Sequence, residues 1–246
     1  MPSHCRTTDV RCAEIPYTDA WGEPLLGFCA HDQEDVGLRP GILVVHEWWG
    51  PNDYAYSRAR QLAALGYRAL AVDMYGRGST TDAGQAGEWM RAALADPVQL
   101  RERFEAGLQL LRQQPGVDPR RIAAIGYCFG GRVVLDMARQ GLDLAGVASI
   151  HGLLMTDVPA QRGLLRAKIL VAHGDADLLV DDAEVQRFEA EMRDAGADLW
   201  LRRYPAAPHG FSNPTSSGYQ EEAERRSWAD VQAFLETLFS DAAPSA

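Results

Sequence analysis

A single α/β domain, with a mostly parallel central sheet and helices on both faces, is the fold class this sequence predicts, and three observations predict it. Short apolar runs rich in Val, Ile, Leu and Ala alternate with longer amphipathic segments, the alternation that a parallel sheet covered on both faces requires. The 246 residues suffice for one large core, and no internal repeat or interdomain linker interrupts them, so one domain is expected over residues 1–246. The apolar and charged fractions, 46% and 24%, are those of an ordinary globular chain.

Taken in order, Ala13 to Cys29 holds two short runs around Asp19-Ala20-Trp21-Gly22 and predicts a hairpin at one sheet edge, over about residues 10–30. Strands are expected at Gly41 to Val45, Tyr67 to Val72, Ile122 to Gly126, Leu144 to Ile150, Lys168 to His173 and Asp198 to Tyr204. Helical patterns fill the gaps: Asn52 to Leu65, Asp82 to Leu94, Pro97 to Arg112, Gly131 to Arg139, Asp181 to Ala195 and Tyr219 to Phe239. Asn52 is a suitable N-cap, Asp96 caps a helix that starts on Pro97, and Gly66 and Gly196 follow helices where a left-handed residue is wanted. The tail Asp241 to Ala246 has little to bury and is expected to fray.

Composition excludes several functions. No stretch approaches the roughly 18 consecutive apolar residues of a membrane span. The N-terminus, Met1 to Arg6, lacks a basic region followed by an apolar run, so a cytoplasmic protein with reduced thiols at its four cysteines, Cys5, Cys12, Cys29 and Cys128, is expected. A net charge of −10 without clustered Lys and Arg argues against a nucleic-acid partner. His46-Glu47 has no second histidine four residues on, and no metal cluster is legible; no metal or cofactor is expected. His4 and His31 look incidental, and His173 ends a strand where it can satisfy backbone groups.

The most informative segment is Ile122-Ala-Ala-Ile-Gly126-Tyr127-Cys128-Phe129-Gly130-Gly131, an apolar strand, a small-residue turn and then a helical pattern. This is the form of a nucleophile elbow: glycines relieve crowding at a tight strand-to-helix turn that lifts the central side chain above the sheet edge. The dipole of the helix that follows favours a thiolate at Cys128. A lone cysteine is more often an inert core thiol, but hydrolases of this architecture present nucleophile, acid and histidine in that order after successive strands, and this chain supplies all three. The acid lies in Gly174-Asp175-Ala176-Asp177. Asp177 is favoured because Gly-x-x-Asp lets the chain turn first, while Asp175 is the alternative that could serve as a local turn residue. The histidine is His209, in a proline-rich loop after the last strand, positioned to take the proton of Cys128 while Asp177 orients the ring. Backbone amides of Phe129 and Trp48 are the expected oxyanion donors. Trp48 and Trp49 together can wall an apolar pocket, and His151, just past a strand, can line it.

At this point the sequence resembles the dienelactone hydrolase family, carboxymethylenebutenolidase-like enzymes of the α/β-hydrolase fold. The resemblance spans most of the chain and is carried by His46-Glu47-Trp48-Trp49-Gly50, Asp73-Met74-Tyr75-Gly76-Arg77, Gly126 to Gly131, Gly174-x-x-Asp177 and His209-Gly210-Phe211. It implies a cysteine-dependent hydrolase of small esters or enol-lactones acting through an acyl-cysteine without a cofactor. It also implies that Glu47 faces the nucleophile and helps convert thiol to thiolate, and that Arg77 contacts a substrate carboxylate or pairs with the glutamate. Arg77, Trp49, His151 and Phe211 make up the expected substrate-contacting set. Dienelactone hydrolases proper place a serine directly after the histidine and an arginine a few residues later; Gly210, Phe211, Ser212 and Asn213 stand here, so a different acyl group is expected. A thioesterase or peptidase on the same scaffold is the enzymatic alternative, and a non-catalytic binding protein the other. The oligomeric state is not legible.

Overall fold

Five of the expected strands carry buried apolar side chains toward both faces, which is the pattern of strands buried inside a layered sheet. The computed structural model describes residues 9–33 and 37–240, and His4, Cys5 and the tail 241–246 lie outside the described residues. The edge hairpin forms from β1 (Val10–Thr18) and β2 (Pro24–Asp32). Then follow β3 (Arg39–Val45), α1 (Asp53–Ala64), β4 (Arg68–Val72), α2 (Ala83–Ala95), α3 (Pro97–Arg112), β5 (Val117–Tyr127) and α4 (Phe129–Arg139). The rest is β6 (Gly146–Ile150), β7 (Lys168–Gly174), α5 (Asp182–Ala195), β8 (Leu199–Tyr204) and α6 (Glu221–Ser240).

These strands form one eight-stranded sheet in the order β1-β2-β4-β3-β5-β6-β7-β8, a single-domain α/β-hydrolase fold. Pairing is antiparallel for β1 with β2 and β2 with β4, and parallel from β4 through β8. Side chains alternate between two core layers, as a period of two requires. Leu43 and Val45 belong to the layer that also holds Phe104 of α3, Val133 of α4 and Phe188 of α5, while Ile42 and Val44 belong to the layer that holds Ala59 of α1 and Phe234 of α6.

Helix ends follow their chemistry. Asn52 Oδ1 accepts from the amides of Tyr54 and Ala55 at 3.2 and 3.3 Å, and Asp96 accepts from Gln99 at 2.9 Å ahead of Pro97. Two boundaries differ from expectation for a local reason. β5 begins at Val117, not Ile122, because Arg39 and Pro40 of β3 extend the pairing across an irregularity at Pro40/Gly41. α4 begins at Phe129, not Gly131, directly after the turn residue Cys128.

The topology also places the site. From β3 the chain passes through α1 to β4 on one side, then through α2 and α3 to β5 on the other. The carboxyl ends of β3 and β5 therefore diverge at a switch point, where open α/β sheets hold their ligands.

Candidate active site

The elbow is built by backbone crowding. Cys128 has φ 54° and ψ −114°, outside the region a non-glycine residue prefers, and is fixed there by its amide bonding to Ile150 O at 3.1 Å. Its own carbonyl accepts from Gly131 at 3.0 Å as α4 starts. A Cβ on Gly126 would meet the Gly130 carbonyl, and one on Gly130 would meet the carbonyls of Val45 and His46. Neither contact can be relieved by a side-chain rotation. Gly130→Ala is therefore expected to destabilise the fold by about 3 kcal/mol, read as a lower urea midpoint at unchanged m-value.

His209 Nδ1 lies 2.8 Å from Asp177 Oδ2. The other oxygen of Asp177 accepts from the amides of Leu179 and Val180 at 2.8 and 3.3 Å, so the carboxylate is aimed by its own loop. Backbone bonds from Ala176 N to Ala207 O and Asp175 N to Tyr204 O, both 3.0 Å, tie the acid loop to the histidine loop. Asp175 points elsewhere and pairs with Arg203 on the surface. Of the two competing carboxylates, the structure brings Asp177 to His209.

Charge is distributed accordingly. Burial alone would lower the pKa of His209, but its bond to Asp177 and the neighbouring Cys128 outweigh it and push the value up to about 10. Burial would raise Asp177, yet the bond to His209 holds it below the usual carboxylate range. His151 and His46 are fully enclosed, and burial drives the pKa of both down, opposite to the direction of His209. His209 Nε2 is buried and meets no partner in good hydrogen-bonding geometry, although the Cys128 sulfur acts on it.

Glu47 and Trp48 lie in a turn closed by Gly50 N–H to Glu47 O at 3.3 Å. His46 holds that turn. Its Nε2 accepts from the Met74 amide at 3.2 Å, so Nδ1 carries the hydrogen and donates to Glu47 O at 2.5 Å. Asp73 turns the next segment by accepting from Tyr75 and Gly76 at 2.8 and 2.9 Å, and Tyr75 Oη donates to Trp48 O at 3.2 Å. The Asp73 to Gly76 motif thus orients the loop that carries Trp48. Phe129 opens α4, where amides lack an intrahelical acceptor.

Glu47 is 5% exposed and takes a 2.6 Å bond from Asn213 Nδ2. Burial raises its pKa; the Asn213 bond and the charges of His209 and Arg58 offset part of that rise. Asn213→Ala removes this donor, so the Glu47 pKa should rise further and the acidic limb of the pH–activity profile should move to higher pH, with a stability loss of about 1–3 kcal/mol. A pH–rate profile and a thermal melt check both parts.

Cys128, His209, Glu47, Trp48, Trp49 and Asn213 line one cavity of ≈590 Å³, together with Met90, Leu153, Leu179 and the 215–217 segment. Three residues of the substrate-contacting set lie elsewhere. Arg77 is exposed and lines a separate cavity with Glu23, Trp89 and Arg103, because the turn at Asp73 directs the chain outward past Gly76. Phe211 is fully buried against His151 and Tyr204. His151, also buried, sits behind His209 with ring centroids 5.3 Å apart and bonds through Nε2 to Ser212 Oγ at 2.8 Å. That hydroxyl reaches Tyr54 Oη at 2.6 Å, and Arg58 closes the network on Ser212 O at 2.9 Å. His151 and Phe211 support the histidine loop from behind. Sequence reasoning passed over Asn213, Ser212 and Tyr54; the Pro-rich loop around His209 was the available signal, but their partners lie over 150 positions away.

Sheet order, elbow and the acid and histidine loops define an α/β-hydrolase. The model of the dienelactone hydrolase family matches residues 27–239, and the chain belongs to that family, whose members are carboxylic ester hydrolases. A solved structure called m3DLH is 34% identical, with TM-score 0.88, over 93% of this chain and 98% of its own. A dienelactone hydrolase-like promiscuous phosphotriesterase from metagenomic libraries is 33% identical, with TM-score 0.85, over the same shares. A Methylorubrum extorquens protein, provisionally named a carboxymethylenebutenolidase, is 29% identical over 80% of this chain and 71% of its own. No helix among the described residues is long and apolar enough to cross a membrane.

Proposed function

We propose that this chain is a cysteine-dependent hydrolase of small ester or enol-lactone substrates, working through an acyl-cysteine. The observation that carries the reading is the meeting, at one cavity, of a strained elbow cysteine with a histidine bonded to a buried aspartate. His209, held by Asp177, takes the proton of Cys128 as the sulfur attacks. Sγ bonds to the carbonyl carbon, the amides of Trp48 and Phe129 hold the oxyanion, and the C–O bond to the alcohol breaks as His209 gives that oxygen its proton. Neutral His209 then takes a proton from water as the hydroxide attacks the thioester, which releases the acid and returns the proton to the Cys128 sulfur. Glu47, buried in the wall of the same cavity with its proton affinity raised by burial, is the group that adjusts the proton on the sulfur. The reducing cytoplasm is the compartment that suits such a nucleophile.

Brief incubation with p-nitrophenyl acetate followed by acid quench and peptide mass mapping should place an acetyl group on the peptide carrying Cys128. Turnover without any such adduct, under conditions where deacylation is slowed by low pH, would count against the covalent route. Similarity to the phosphotriesterase favours one second reading, attack of the same sulfur on a neutral phosphotriester, and release of p-nitrophenol from such a compound tests it.

A further inference from the structure

We infer that the site selects uncharged esters with an apolar group and discriminates against esters that carry a carboxylate; this rests on the reading of Cys128 as nucleophile. The cavity wall is apolar where it is not reactive: Trp48, Trp49, Met90, Leu153 and Leu179 line it. Among the described residues no Lys or Arg does. The ionisable groups facing it among those residues are Cys128, His209 and Glu47, and His209 is already bonded to Asp177.

The amide of Asn213 and the hydroxyl of Thr215 are turned to the protein itself: Asn213 Nδ2 donates to Glu47, and its Oδ1 accepts from Thr215 N and Oγ1 at 2.9 and 2.8 Å. What the wall offers a carboxylate is the neutral hydroxyl of Ser216, whose oxygen accepts from the Gly218 amide at 3.1 Å, and that of Ser217, and neither supplies charge. The nearby cations are also out of play. Arg58 is buried behind the site and paired with Glu224 at 2.9 Å. Arg77 opens into the neighbouring cavity, and Tyr75, which lines that second cavity, bonds the Trp48 carbonyl. A substrate carboxylate would meet Glu47 in a largely apolar pocket whose histidine is already bonded to Asp177, so little repays its desolvation.

The mouth extends the apolar wall. Leu178 is 96% exposed and Leu179 60% exposed, on the loop whose Asp177 is fixed against His209. An aliphatic or aromatic substituent leaving the cavity covers Leu179, which both lines the pocket and faces solvent. Two adjacent leucines on a tightly bonded loop at the site entrance fit such a substrate.

The test compares p-nitrophenyl butyrate with p-nitrophenyl hydrogen succinate, similar in acyl length and different in charge, at neutral pH where the second is ionised. The neutral ester should show kcat/KM at least about tenfold higher. In Leu179→Arg, which adds a cation at an exposed position on the wall, that ratio should fall toward unity. Equal or faster turnover of the succinate ester by the wild type would overturn the inference while leaving the nucleophile in place. Hydrolysis of both esters that survives in Cys128→Ala would instead overturn the reading on which it rests.

Discussion

Replacing Cys128 by alanine is expected to lower kcat/KM for an activated ester by about three orders of magnitude or more, and to abolish the acyl adduct. The size follows from where the sulfur sits. Cys128 holds a costly backbone conformation, pinned by Ile150 and by glycines that admit no side chain, and among the described residues no other thiol lines the cavity. Of the other described cysteines, Cys12 is exposed on the edge hairpin and Cys29 is buried within the sheet, where burial pushes its thiol up to about 11. Neither can substitute. The alanine protein should melt close to wild type, because the φ of 54° is imposed equally on either residue, so lost activity reports chemistry and not folding. Cys128→Ser separates the two requirements: it keeps a nucleophilic oxygen in the elbow but loses the more acidic and more nucleophilic sulfur. Serine activity equal to wild type would remove sulfur from the mechanism while sparing the elbow.

Much of this arrangement was legible because it is local. The strand ending at Tyr127, the turn and the helix starting at Phe129 are written in consecutive residues, and the acid and histidine loops each follow a recognisable strand. The choice of Asp177 over Asp175 rested on the family resemblance as well as on local turn geometry; in the structure the second carboxylate is drawn off by Arg203, a partner 28 positions away. What stayed hidden depends on packing between distant segments. Asn213 matters through Glu47, 166 positions earlier, and Ser212 through Tyr54, 158 earlier. Phe211 and Arg77 were placed in the site because they stand in the motifs that carry the family resemblance. One is sealed beneath the histidine loop and the other faces out past a turn, because adjacency along the chain does not decide which way a side chain points.

Asp177→Asn should lower kcat by about 10³- to 10⁴-fold with little change in KM, since the group acts on His209 and not on bound substrate. The amide removes the charge that stabilises the imidazolium, so the His209 pKa should fall from about 10, a shift that NMR titration of the ring can follow. Stability should change with pH in a defined window. The raised His209 contributes stability that is complete below its unfolded value of about 6.5 and is lost as pH climbs through about 10. The depressed Asp177 contributes stability present above its unfolded value of about 3.9 and lost as pH falls through its lower folded value. Both conditions hold only between the two, so the stability gap between wild type and Asp177→Asn should be widest near pH 5 to 6.5 and should narrow in acid and again above neutrality. A gap that is flat across that range would mean that Asp177 holds the loop through Leu179 and Val180 alone, and that its charge does not reach His209.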